Sequence, residues 1–211
     1  MATLTLYLQN YRNHKEATFP LAQQTVFVGP NGSGKTNVIE AIRTLSVTKS
    51  YRTSQDREVI QWDQPFCRIK AEWERQTLES ILAFDGESTK KTVKHNGVAI
   101  PLTRVYGILP TVLFSPESIH LIDGAPQERR RFLDTILSQA DITYLDALIT
   151  YRKVLRERHF VLLRLQQGLG QDDELDFWDK ELGRVGEALV SFREMFVSDV
   201  NDYLAEIYPQ F

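Results

Sequence analysis

The 211 residues carry 25 lysines and arginines against 28 aspartates and glutamates, a formal net charge of −3, and 42% are hydrophobic. This ordinary globular usage excludes disordered, collagen-like and disulfide-stapled classes, and no stretch supplies the ~18 apolar residues of a membrane span. No positive excess marks a nucleic-acid surface, so any DNA contact has to come from local patches.

In chain order, Thr3–Leu8 alternates as a strand and Ala17–Phe19 reads as its partner, with no apolar core of a secretion signal. A third strand, Thr25–Val28, runs into Gly29, and from Thr36 the apolar residues Val38, Ile39, Ile42 and Leu45 take helical spacing. Residues 66–100 read as antiparallel strands, with Asp85-Gly86 and Asn96-Gly97 as tight hairpin turns. Cys67, the single cysteine, cannot form an internal disulfide, which fits a reducing cytoplasm, and it reads as a small half-buried side chain. Another strand is expected at Thr111–Phe114, before Ser115-Pro116.

Beyond Pro126, glycine and proline thin out. Tyr144, Leu148, Tyr151 and Leu155 mark one helix, and a stripe from Leu175 through Val185, Leu189, Phe192 and Phe196 to Ile207 marks a long second one. Gly168–Asp173 is the natural break, so a helical hairpin with arms side by side is expected.

Gly29-Pro30-Asn31-Gly32-Ser33-Gly34-Lys35-Thr36 fits the Walker A pattern at every fixed position. Glycines let backbone N–H groups turn toward phosphate oxygens, and the helix that follows adds its positive end. Lys35 is placed to reach the β- and γ-phosphates of ATP and the Thr36 hydroxyl to ligate Mg²⁺; Asn37 completes the candidate site. Hydrolysis also needs a Mg²⁺-supporting acid at a strand end. Asp85 imitates one, although Asp85-Gly86 sits where a turn is expected, and Asp123 is a weaker imitation. No convincing catalytic residue stands in the chain.

A second motif runs from Pro116 to Asp134. Pro116 opens a short helix, Gly124 ends it, and Pro126 lies in the first turn of the next. Arg129, Arg130 and Arg131 on that turn oppose the helix dipole. They read either as a solvated turn partly neutralised by Glu128 and Asp134, or as a site for phosphate, DNA or a partner.

This segment resembles the signature of the RecF family, bacterial replication and repair proteins related to SMC-type ATPase heads. The Walker A segment is similar too, as are Leu8–Asn13, Ser50–Thr53 and Lys94–Gly97. Together these cover most of residues 1–140. The resemblance implies an α/β fold: an incomplete ABC-ATPase-like P-loop head with an antiparallel β subdomain and an α-helical second lobe. Residues 1–115 would form the ATPase lobe and 116–211 the helical lobe. It further implies an ATP-dependent homodimer, sequence-tolerant DNA binding, recombinase loading at gaps with RecR and RecO-type partners, and a cytoplasmic place in DNA-damage and SOS responses.

On that resemblance Arg52 lies in a loop linking DNA to nucleotide, and Arg12 and Asn13 lie near the base or ribose. Lys90, Lys91 and Lys94 join Arg52 and Arg129–Arg131 as candidate phosphate contacts. The complete family head is a slow DNA-dependent ATPase, and its Walker B strand and ABC signature are expected after residue 211. Gln167–Gln171 echoes that signature only faintly. The alternative is a self-contained P-loop NTPase or kinase using Asp85, and a third reading is an interaction module docking through 141–208. His14, His95, His120 and His159 lack metal-ligand spacing and read as surface or packing residues, and Trp62, Trp73 and Trp178 as packing residues.

Overall fold

The computed structural model describes residues 4–171 and 173–208. The parts of the sequence reading that fall on Thr3, Asp172 and residues 209–211 lie outside the described residues. Contacts divide the chain into Met1–Ser115 and Pro116–Phe211.

The first unit is built on a six-stranded antiparallel sheet. Its strands are β1 (Leu4–Tyr11), β2 (His14–Leu21), β3 (Phe66–Trp73), β4 (Gln76–Phe84), β5 (Thr89–His95) and β6 (Val98–Ile100), in the order β2-β1-β3-β4-β5-β6. Leu6 faces Phe19 on one side and Ala71 on the other, and this register sets Leu6, Leu8, Ile69, Leu78, Leu82 and Val93 on one buried face. Helix α1 (Lys35–Val47) packs on that face through Val38, Ala41 and Leu45. Cys67 is fully buried in this core rather than half-buried, and burial pushes its thiol up to about 12.

Both expected hairpin turns are present. Asn96 and Gly97 take φ of 50° and 81° between β5 and β6, the doubly positive geometry of a tight hairpin. A Cβ on Gly97 would meet nothing within 4 Å, so Gly97→Ala is charged with backbone strain alone. It is expected to cost about 1 kcal/mol in urea unfolding.

Two expected strands did not form ladders. Thr25–Val28 and Thr111–Phe114 carry no strand pairing among the described residues, and Val28 and Phe114 are 89% and 91% exposed. Apolar content alone does not make a strand; a partner's N–H and C=O groups must be in reach. Thr111 is instead tied to α1, where its carbonyl and hydroxyl both accept from Arg43 Nη1 and its hydroxyl donates to Ser46. Trp62, expected in a core, is exposed.

The second unit opens with a 3-10 turn at Pro116–Ile119 and a one-turn helix α2 (His120–Asp123), which Gly124 ends by donating its N–H to the His120 carbonyl. Helix α3 (Pro126–Ala140) begins on Pro126, whose missing N–H costs nothing in a first turn. Helix α4 (Ile142–Gln166) is capped by Asp141, which accepts from the Thr143 N–H at 2.7 Å. Helix α5 (Asp173–Ile207) returns along it after a turn in which Gly168 and Gly170 take positive φ.

The arms are tied by Arg158–Asp179 and Arg164–Glu174 ion pairs, and Tyr144, Leu148, Leu189 and Leu137 form their core with Phe192 and Phe196 packed against it. Tyr144 already meets Arg193 near the start of α4. The expected apolar stripe therefore loses its cover further along α5, and Tyr203 and Leu204 are exposed.

Candidate functional site

The Walker A segment leaves the sheet unit as a loop that ends in α1. Gly32 and Gly34 take φ of 80° and 97°, backbone that side chains other than glycine rarely adopt. A Cβ on Gly34 would lie 2.5 Å from His14 Nε2 and 2.6 Å from Asn13 Oδ1. A side chain at Gly34 would carry backbone strain and would also have to displace the ends of His14 and Asn13. The helix begins on Gly34, whose carbonyl accepts from the Asn37 and Val38 N–H groups. The preceding N–H groups of the helix have no intrahelical acceptor, and its first turn has no acidic residue. An anion placed there meets free donors and the positive end of the helix dipole.

Lys35 Nζ donates to the Gly29 and Pro30 carbonyls at 2.7 Å each, so its ammonium already lies over the loop. Thr36 is exposed and its hydroxyl has no hydrogen-bond partner among the described residues. Pro30, Asn31 and Ser33 are exposed along the loop, and Ser33 closes its turn by donating its N–H to the Pro30 carbonyl. Uncommitted N–H groups, a cation and a free hydroxyl are the donor set that ATP with Mg²⁺ requires. The residues present fit that group.

Arg12 and Asn13, expected near the base or ribose, lie beside the loop and bond to the protein's own groups. Arg12 spends all three guanidinium nitrogens inside the protein, with Nη2 and Nε on the Glu40 carboxylate at 2.6 and 3.0 Å and Nη1 on the Glu58 carbonyl at 2.7 Å. Burial opposes its charge, but the bonds to Glu40 outweigh it and hold the guanidinium above its ordinary value. Asn13 Nδ2 donates to the Gly32 carbonyl at 3.1 Å and its Oδ1 accepts from Asn37 Nδ2 at 2.8 Å. Asn13 is a brace of the phosphate loop. Asn37 is a second brace, since its Oδ1 accepts from Arg52 Nη1 at 2.7 Å.

Three residues that matter here were not singled out from the sequence. Glu40 is fully buried, and it holds Arg12, Arg52 and Ser50 together. Its signal was available: Glu40 and Thr44 share one helical face with the core residues of α1. Ser50 stands in the sequence reading only as the first residue of the Ser50–Thr53 motif. His14, read as a surface or packing residue, places Nε2 3.2 Å from the Gly34 carbonyl; nothing in the spacing pointed to that contact.

The proposed phosphate contacts divide. Arg52 is held on one nitrogen, while Lys90 is exposed. Lys91 has to be removed from the set. It points to the other face of β5, donates to the Thr48 carbonyl and to Asp56, and its side chain is only 7% exposed. Lys94 is half-buried on the same face as Lys90. Arg129 donates to the Gly124 carbonyl, and Arg130 and Arg131 are exposed. Asp134 does not neutralise them, because it is taken by Arg193 at 2.6 Å, Arg152 at 3.5 Å and the Tyr144 hydroxyl.

Asp85 is not a metal-supporting acid in this arrangement. Its carboxylate accepts from the Ser88 and Glu87 N–H groups and from the Ser88 hydroxyl, and these bonds hold it below the usual carboxylate value. It fixes the turn between β4 and β5, which speaks against the role that the self-contained enzyme reading gives it. Gln167–Gln171, likewise, is the link between α4 and α5.

The AAA ATPase domain family matches residues 1–152. The chain belongs to that family. Among AAA ATPase domain proteins, its relatives include the DNA replication and repair protein RecF of Chlorobium luteolum, 36% identical over 96% of this chain and 56% of that protein. The RecF of Chloroflexus aurantiacus is also 36% identical, over 97% of this chain and 58% of its own length. A solved structure of the recombination mediator protein RecF–ATP in the RecFOR pathway superposes with a TM-score of 0.89, at 27% identity, over 98% of this chain and 58% of that one.

The RecF resemblance carried by the motifs therefore extends along nearly the whole sequence, with the α/β P-loop fold it implied. The chain spans just over half the length of these relatives. Among the described residues, no helix is long and apolar enough to cross a membrane.

Proposed function

We propose that the chain grips ATP and Mg²⁺ through Gly29–Thr36 as the nucleotide-binding part of a RecF-type DNA repair protein. The observation that carries this reading is the Gly32–Thr36 cradle, with free N–H groups, Lys35 and an unengaged Thr36 hydroxyl, in a chain that follows a RecF–ATP structure along 98% of its length. Lys35 would turn from the loop carbonyls to the β- and γ-phosphates, and Thr36 would ligate the metal, which neutralises charge between the phosphates.

On the same reading two such heads pair around ATP, and DNA is held by its backbone. Arg52, Lys90, Lys94 and Arg129–Arg131 are the contacts, without Lys91. RecR- and RecO-type partners, recombinase loading at gaps, a part in replication and the SOS response, and a cytoplasmic location complete the proposal. Residues 1–115 serve as the ATPase lobe and 116–211 as the helical lobe.

The test is calorimetry of ATP·Mg²⁺ with the purified chain, followed by DNA binding across a salt series. Phosphate contacts release counterions, so log affinity should fall linearly with log salt, by a slope of about −0.9 per contact on duplex DNA. Arg130→Ala and Arg131→Ala are each expected to reduce that slope by about one, at every sequence tested. DNA binding indifferent to salt would sink the phosphate-contact reading.

A further inference from the structure

Glu40 is an acidic side chain with no exposed surface, facing two guanidiniums from different segments. Its Oε1 accepts from Arg12 Nη2 and from Ser50 Oγ, and its Oε2 from Arg12 Nε and from Arg52 Nη1 at 3.2 Å. The shares are unequal. Arg12 takes the carboxylate with a two-pronged fork, the geometry that binds best, and Arg52 has the one long bond that remains. A lone carboxylate inside a protein is costly, so Glu40 has to keep partners.

Arg52 is therefore the partner that can move. Its Nη1 is shared between Glu40 and Asn37, while its Nε and Nη2 have no hydrogen bond among the described residues and its side chain is 43% exposed. Asn37 in turn donates to Asn13, and Asn13 donates to the Gly32 carbonyl inside the phosphate loop. A continuous run of hydrogen bonds leads from Gly32 to Arg52. Ser50 closes it from the far side, since its Oγ accepts from the Arg52 and Thr53 N–H groups at 3.0 and 3.3 Å while donating to Glu40.

We propose that Glu40 is a positioning residue that makes the 50–53 segment respond to the filling of the phosphate loop, and so sets when the free edge of Arg52 is presented to a phosphate anion. The proposal rests on the nucleotide reading given above. A phosphate that turns the Gly32 peptide shifts Asn13 and Asn37, and Glu40 converts that shift into order in the Arg52 segment because it fixes both the side chain of Arg52 and, through Ser50, its backbone. Without the carboxylate the run still reaches the Arg52 side chain through Asn37, but nothing ties Ser50, and with it the 52–53 backbone, to that run.

The experiment uses the whole chain and needs no DNA. Hydrogen–deuterium exchange is read at the Arg52 and Thr53 amides with and without ATP·Mg²⁺, beside calorimetry on the same samples. In the wild type, ATP is expected to slow exchange at these amides about tenfold. In Glu40→Gln, ATP binding stays within about threefold of wild type, but the slowing disappears. A residue that only stabilised the fold would lower the melting temperature and leave the slowing intact.

Should Glu40→Gln fail to fold, Ser50→Ala keeps all three charges, cuts the bond to Glu40 and the two amide bonds, and is expected to lose the slowing as well. A folded variant that binds ATP and still shows the wild-type slowing overturns the proposal, as does a wild type that binds ATP without slowing. A wild type that does not bind ATP overturns the nucleotide reading and this proposal with it, and the calorimetry tells the two failures apart.

Discussion

Replacing Lys35 by alanine is expected to weaken ATP binding by about 100-fold or more, with little change in thermal stability. The ammonium sits 2.7 Å from the Gly29 and Pro30 carbonyls, and no acidic side chain among the described residues pairs with it. Those two bonds are to neutral carbonyls on an exposed loop, so their loss costs the fold little. Against a triphosphate the same group makes charge-assisted bonds, worth about 1.5–3 kcal/mol each, and 1.4 kcal/mol is a factor of ten in affinity. Calorimetry with ATP·Mg²⁺ measures the first effect and a thermal melt the second. Equal affinity in Lys35→Ala and wild type would end the assignment of this loop to nucleotide.

The phosphate loop was readable in the sequence because everything it needs is local: positive φ at Gly32 and Gly34, a cation and a hydroxyl within eight consecutive residues, and a helix after them. The Asn96-Gly97 turn was readable for the same reason. What failed to be read was non-local. Arg12 bonds to Glu40, 28 positions on, and no spacing rule pairs the two.

Lys91 reads like Lys90 and Lys94, yet the alternation of β5 turns it inward to Asp56, 35 positions back. Thr25–Val28 and Thr111–Phe114 have strand composition, but pairing belongs to two segments at once and is not written in either. Glu40 itself does not stand out in the sequence, because a glutamate on an amphipathic helix is ordinarily on the wet side. Only the arrival of two arginines and a serine from elsewhere makes its burial tolerable.

Asp134→Ala is expected to destabilise the helical unit by about 2–3 kcal/mol, more than the loss of a surface ion pair. Asp134 on α3 accepts from Tyr144 on α4 and from Arg193 on α5, so one carboxylate joins three helices. Tyr144 is fully buried, and burial first, then its bond to Asp134, pushes its phenol up to about 12. Removal of the carboxylate leaves Arg193 with only the phenol oxygen for a partner at 3.1 Å, in a place where three-quarters of its side chain is covered. Breaking a buried pair from one side costs about 3–5 kcal/mol, and the remaining exposure of Arg193 reduces that here.

Urea unfolding followed by Trp178 on α5, with Trp62 and Trp73 replaced by phenylalanine, isolates this unit. Asp134→Asn keeps an acceptor for both partners and should cost less than half as much. If Asp134→Ala melts like wild type, Asp134 is not what holds the helices, and the acidic end of the Pro116–Asp134 signature would have to be explained by what it binds rather than by what it ties together.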